Sequence, residues 1–145
     1  MIDVVRLVRF VKSAVFLTGI GRFVSRSWES LPLTIPGLTL DDHIVMPNHL
    51  HGLLMLDPGE QLHRRRDAHT GQVIETAMAL GEVIRRFKAK TAREIHDRGM
   101  TAFQWQGGLY EHIVEDEADR ERVREYMARN AEEWELDQEN PARTR

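Results

Sequence analysis

The amino-acid sequence predicts an α+β fold, and three observations carry that expectation. Leu40 to Leu56 has the pattern of a β-hairpin, two apolar arms joined by Pro47-Asn48 as the turn. Val73 to His96 repeats apolar residues at three- and four-residue steps, and a second periodic run follows Glu115, so two helices are expected. Between them Phe103 to Val114 reads as another strand, bent or bulged at Gly107-Gly108.

Each element follows from its local pattern. The N-terminal third is the least patterned: Val4 to Ile20 has room for one strand, placed around Ala14 to Ile20, and Arg22 to Ser30 reads as a short helix. In the second arm of the hairpin, alternation sets His49, His51, Leu53 and Met55 on one face and Leu50, Gly52, Leu54 and Leu56 on the other. Asp57 to Gly71 is polar and basic and reads as a mobile loop. In the long helix Ala77, Leu80, Ile84, Phe87, Thr91 and Ile95 form the stripe to be buried, Arg86, Lys90 and Arg93 line one flank, and Gly99 closes it. In the strand that follows, Tyr110, His112 and Val114 share a face. The last helix carries acids in its first turn, where the macrodipole favours them, and an apolar stripe of Val123, Met127, Ala131 and Trp134. Tyr126 and Asn130 lie one turn apart beside that stripe, and residues 136–145 read as a frayed tail.

Composition narrows the function. The 145 residues suit a single domain spanning 1–145 with one core. There is no cysteine, so thiol nucleophiles, disulfides and Cys-based zinc sites are excluded, and any metal must be held by N and O ligands. No apolar run approaches the roughly 20 residues that span a bilayer. Arg and Lys interrupt the stretch 4–20, the nearest thing to an export signal, so a cytoplasmic protein with no membrane partner is expected. The net charge of −3 conceals an asymmetry: residues 61–98 hold Arg64, Arg65, Arg66, Arg85, Arg86, Lys88, Lys90, Arg93 and Arg98, whereas residues 111–139 hold twelve carboxylates against four arginines. Either a solvated helix surface or a basic face for nucleic acid accounts for it.

The hairpin raises the sharpest question. A strand prefers valine or isoleucine where this one has His49 and His51, on one face with Cα atoms ~6–7 Å apart. Two imidazoles at that spacing can converge on one cation, given a third ligand from another element. Alternatively, one is a hydrogen-bonded core histidine and the other lies at the surface. His-x-His alone does not decide between these.

The combination is more specific. MPNHLHGLL on a hairpin, RRFKAKTAREI on a basic helix and WQGGLYEHIVEDEADRERVREYMARNAEEWELDQENP, in that order from about Gly21 to Pro141, resemble the REP-associated tyrosine transposases of the single-tyrosine His-hydrophobe-His nuclease superfamily. The resemblance implies a ferredoxin-like antiparallel sheet with helices packed on one face. It implies that His49 and His51 bind a divalent ion, Mg2+ or Mn2+, with Asn130 as third ligand. Tyr126 would be the nucleophile that attacks a phosphodiester of single-stranded or hairpin DNA, leaving a 5′-phosphotyrosine link and a free 3′-hydroxyl. A phenolate suits this because it is both a nucleophile and a leaving group, so the step reverses and the strand can be transferred. Arg86, Lys90 and Arg93, with Arg64, Arg65 and Arg66, would follow the phosphate backbone. Trp105 and Tyr110 would stack on bases, with core burial the alternative for Trp105. His112 would touch phosphate or hold a backbone group.

The first twenty residues match that family poorly. Either Val4 to Ile20 substitutes for the family's first strand or the copy is truncated there, leaving an N-terminal strand that is atypical or missing. A strand of uncertain register would leave an open edge that a twin chain could pair with, giving a homodimer. Together with the acids after Asn130, this keeps a second reading: a decayed or domesticated protein that binds single-stranded DNA without cutting it. A zinc hydrolase unrelated to DNA lacks a Glu-x-x-His helix and leaves the basic flank unexplained.

Overall fold

The computed structural model describes residues 4–11, 18–57, 62–66, 69–71, 73–77 and 80–134, with side chains over 19–57, 69–71 and 80–134. Strand β1 (Val4–Val11) is followed by helix α1 (Thr18–Glu29), a 3-10 turn (Leu31–Leu33), the hairpin β2 (Leu38–Val45) and β3 (His49–Leu56), and a second hairpin β4 (Leu62–Arg66) and β5 (Val73–Ala77). Helix α2 (Leu80–Asp97), strand β6 (Tyr110–Val114) and helix α3 (Glu117–Glu132) complete the order. Four strands form one antiparallel sheet in the order β2-β3-β1-β6, with β4 and β5 paired separately. Without that inserted hairpin the order is the ferredoxin-like βαββαβ arrangement, its first and third strands central.

The N-terminal segment supplies a strand at the centre of the sheet. The strand lies at Val4–Val11 rather than around Ala14 to Ile20; Ile20 is in α1, and residues 14–17 fall outside the described ones. β1 pairs with β3 on one side and β6 on the other, so it is not the open edge that motivated a twin chain; the outer strands are β2 and β6. Its run of valines, leucine and phenylalanine suits a strand with neighbours on both sides, and Arg6 and Arg9 hide that signal. Two further boundaries shift. Residues 62–66 and 73–77, expected as loop and helix start, are strands, so α2 begins at Leu80. From the expected strand at Phe103 only Tyr110–Val114 pairs into the sheet. The expected tail at 136–145 lies outside the described residues.

The alternation of β3 divides the core. Leu50, Leu54 and Leu56 face α1 and α2, where Val24, Trp28, Leu80, Val83, Ile84, Phe87 and Ile95 join them. Leu53 faces the other way, against Val123 and Met127 of α3, Val114 of β6 and the partly buried Ile44 and Met55. The packing of helices on one face therefore holds for α1 and α2, while α3 covers the opposite face. Six residues of α2 are buried, Leu80, Val83, Ile84, Phe87, Thr91 and Ile95, whereas α3 buries only Val123 and Met127. Gly99, at φ +91°, ends α2 in a conformation that L side chains resist.

Gly52 follows His51 in β3 and faces Trp28 on the opposite side of the strand. A Cβ there would stand 2.3 Å from Trp28 Cζ2, so only glycine lets the fully buried indole lie on β3. Gly52→Ala should force Trp28 or the strand aside and cost about 1–3 kcal/mol, as overpacking of a filled core does. Urea denaturation would show this as a lowered midpoint; an unchanged midpoint would contradict the packing described.

Candidate active site

His49 and His51 leave β3 on the face that α3 covers, and both are fully buried. Their Nε2 atoms stand 2.9 Å apart, and each is 3.2 Å from Asn130 Oδ1 of α3. Asn48, in the β2–β3 turn, sets its Oδ1 2.5 Å from His49 Nδ1. With that oxygen as acceptor, the neutral His49 imidazole carries its proton on Nδ1 and presents a lone pair at Nε2. Asn130 Oδ1 carries none, so the three converging atoms share at most one proton, on His51. Such an electron-rich cluster favours a cation. In an octahedral shell with ligands ~2.1 Å from the ion, neighbouring ligand atoms stand ~3.0 Å apart, close to the spacing of these three. The amide oxygen is a hard donor that suits Mg2+ or Mn2+, whereas imidazole nitrogen is a softer donor of transition metals, which Mn2+ accepts more readily than Mg2+. No group of three His, Cys, Asp or Glu side chains that could hold a metal occurs among the described residues; the third donor here is an amide.

Tyr126, one turn before Asn130, places its ring edge-on to His51, with centroids 5.6 Å apart, while remaining 47% exposed. It therefore borders the cluster and reaches solvent. Tyr110 is 61% exposed on β6, two strands from β3; both His51 and Tyr110 register on Arg9 of β1. Two strand spacings, about 9–10 Å, separate Tyr110 from the cluster.

The remaining residues expected at the site are dispersed. Trp105 donates its indole N–H to Thr91 Oγ1 at 2.9 Å and packs on Phe87 and Phe103, the arrangement of a core residue. Arg86, Lys90 and Arg93 are exposed on α2, across the sheet from the histidines, and Arg86 pairs with Glu82 at 2.8 Å. Arg64, Arg65 and Arg66 lie in β4; their side chains are outside the described ones. His112 bonds Asp119 Oδ2 at 3.0 Å, a carboxylate rather than a backbone group.

Three features escaped sequence reasoning. Asn48 read only as a turn residue. Lys88 bonds the carbonyls of Gln106 and Gly108, both at 3.0 Å, and so ties the α2–β6 connection to α2. Asp41 receives Arg124 of α3 on both carboxylate oxygens, at 3.0 and 2.8 Å. An Asp-Asp pair inside a strand was the available signal for that last contact.

Comparison with known proteins bears on the fold. No family profile matches the chain. Its fold is that of a REP-associated tyrosine transposase solved bound to a REP hairpin, with a TM-score of 0.61 and 16% identity over 89% of this chain and 67% of that one. A candidate transposase from Deinococcus radiodurans R1 is also similar, with a TM-score of 0.57 and 13% identity over 89% of this chain and 92% of the other. In sequence, the chain is 31% identical over 130 residues to an uncharacterised protein of Haemophilus influenzae, covering 84% of this chain and 70% of that protein. The chain belongs to the same family as that Haemophilus protein.

The N-terminus of α3 shows how the helix is anchored. Asp116 caps it, accepting from the Asp119 N–H at 2.7 Å. The Glu115 backbone N–H, and then the His112 imidazole, hold the Asp119 carboxyl below its ordinary value near 3.8. A carboxyl depressed in the folded state adds stability above its unfolded pKa, and this is lost as pH falls through the lower folded value. Asp119→Asn should therefore lower the urea midpoint at pH 7, and the difference from wild type should shrink from about pH 4 downward. A difference that persists unchanged to pH 2 would contradict this.

Proposed function

We propose that this chain is a DNA transposase acting through a single tyrosine: it cleaves single-stranded DNA, holds the strand covalently and passes it to a new end. The observation that carries the reading is the convergence of His49, His51 and Asn130 beside a half-exposed Tyr126. The fold shared with a transposase solved on hairpin DNA supports the substrate class.

The chain's own residues divide the work. His49, His51 and Asn130 would hold one Mg2+ or Mn2+, with Asn48 fixing the His49 tautomer. When bound, such an ion supplies Lewis-acid neutralisation of a non-bridging phosphate oxygen. Tyr126, exposed next to the cluster, attacks phosphorus with its phenolic oxygen. The bond from phosphorus to O3′ breaks, a 5′-phosphotyrosine forms, and the 3′-oxygen leaves as a hydroxyl carrying the proton the phenol has lost. In the reverse sense a 3′-hydroxyl attacks the phosphotyrosine and releases the phenol, which is strand transfer. The cations of α2 lie on the far side of the sheet and hold only DNA that runs beyond the scissile phosphate. Tyr110, about 9–10 Å from the cluster by strand spacing, suits base stacking rather than attack.

The non-cleaving alternative loses one support, because β1 fills the centre of the sheet. The assay that separates the two uses a labelled hairpin-bearing oligonucleotide with Mn2+, resolved on a denaturing gel. Wild type should form a covalent adduct, Tyr126→Phe none, and Asn130→Ala about 100-fold less, within the range for an oriented catalytic group. An adduct that survives Tyr126→Phe, or binding without any adduct under Mg2+ or Mn2+, would contradict the proposal.

A further inference from the structure

β2 carries a bulge. Its register with β3 runs Leu38↔Leu56 to Leu40↔Leu54, then resumes one residue late at His43↔Gly52. Asp41 and Asp42 thus stand together opposite Leu53, on the face covered by α3. The two carboxylates meet one guanidinium: Arg124 bonds both oxygens of Asp41 and lies 3.5 Å from Asp42, and Arg120, one turn earlier, lies 3.9 Å from Asp41. The Asp41 side chain is 16% exposed and that of Arg124 is 30% exposed, so water screens this pair less than the i,i+3 pairs along the helix surface.

The clamp sits at the middle of α3, where the apolar hold is small. Val123 and Met127 are its only buried residues among those described, and two apolar contacts allow a helix to slide or roll on a sheet. Arg124 is two residues before Tyr126 and six before Asn130, so fixing its guanidinium fixes the rotation and axial position of both. A two-pronged contact from one guanidinium nitrogen to a carboxylate restricts direction as well as distance.

We propose that Asp41 is a positioning residue for the reaction: through Arg124 it holds α3 at the setting in which Asn130 reaches the histidines and Tyr126 borders them. The inference rests on the roles proposed for Tyr126 and Asn130. Bulges recur next to active sites because they re-aim side chains, and this one aims a carboxylate at the helix carrying the nucleophile.

Full-length Asp41→Asn and Arg124→Gln should both speed amide hydrogen exchange at Tyr126 to Asn130 at least tenfold relative to α2. Both should weaken Mn2+ binding about tenfold, as loss of a group supporting a ligand does. They should lower kcat for adduct formation while leaving the KM for oligonucleotide within twofold. Arg124→Lys should recover part of each effect, which a loss of overall folding would not allow. Unchanged exchange in α3 together with unchanged Mn2+ affinity would overturn the positioning role even if the wild type forms the adduct. Weakened Mn2+ binding and faster exchange in a wild-type background that never forms the adduct would uphold the clamp while the transposase reading falls.

Discussion

The organisation of this molecule depends on β3 being buried on both faces. Seven of its eight residues are buried and the eighth is partly so, and the two faces make opposite demands. One must accept the Trp28 indole, which Gly52 alone permits, and continue the apolar core through Leu50 and Leu54. The other offers imidazoles to a region shielded from water by α3. Burying His49 and His51 without partners would be costly, and the cost is relieved by interactions that also bring their nitrogens together: Asn48 on one ring, Asn130 between both. Polar burial and donor convergence are therefore the same arrangement viewed from stability and from chemistry.

The second face explains the character of α3. A helix packed only for stability would present a broad apolar stripe, as α2 does. α3 instead gives positions beside its two buried residues to Tyr126 and Asn130, and its attachment shifts to polar contacts. Asp116 and Asp119 organise its N-terminus, and Arg124 and Arg120 reach the carboxylate on the β2 bulge. Asp119 and the macrodipole act at its first turn, Asp41 at its middle and Asn130 near its end. The helix is held by directional bonds along its length.

Elements with strong periodicity were legible in the sequence. The hairpin, the alternation that pairs His49 with His51, the buried stripe of α2 from Leu80 to Ile95 and the one-turn spacing of Tyr126 and Asn130 all follow from side-chain period. β1 was misplaced because Arg6 and Arg9 break the apolar pattern that marks a central strand, while Ala14 to Ile20 is smoother and more apolar. β4 and β5 read as loop and helix because residues 62–66 are mostly charged and Val73–Ala77 runs into a helical repeat. What no period encodes is contact between distant segments. The placement of α3 on the histidine face, the Asp41–Arg124 pair and the support of Asn48 depend on how elements pack. Trp105, balanced in sequence between core and base stacking, takes the core position because Thr91 supplies an acceptor for its indole N–H.

The central claim is that His49, His51 and Asn130 form one divalent-ion site beside Tyr126. Pulsed electron paramagnetic resonance of the full-length protein with stoichiometric Mn2+ tests it most directly, because nitrogen couplings report which side chains bind the ion. The account predicts one bound Mn2+ per chain coupled to two imidazole nitrogens, with one of those couplings lost in His51→Gln. Mn2+ bound without imidazole coupling, or couplings unaltered by His51→Gln, would contradict it.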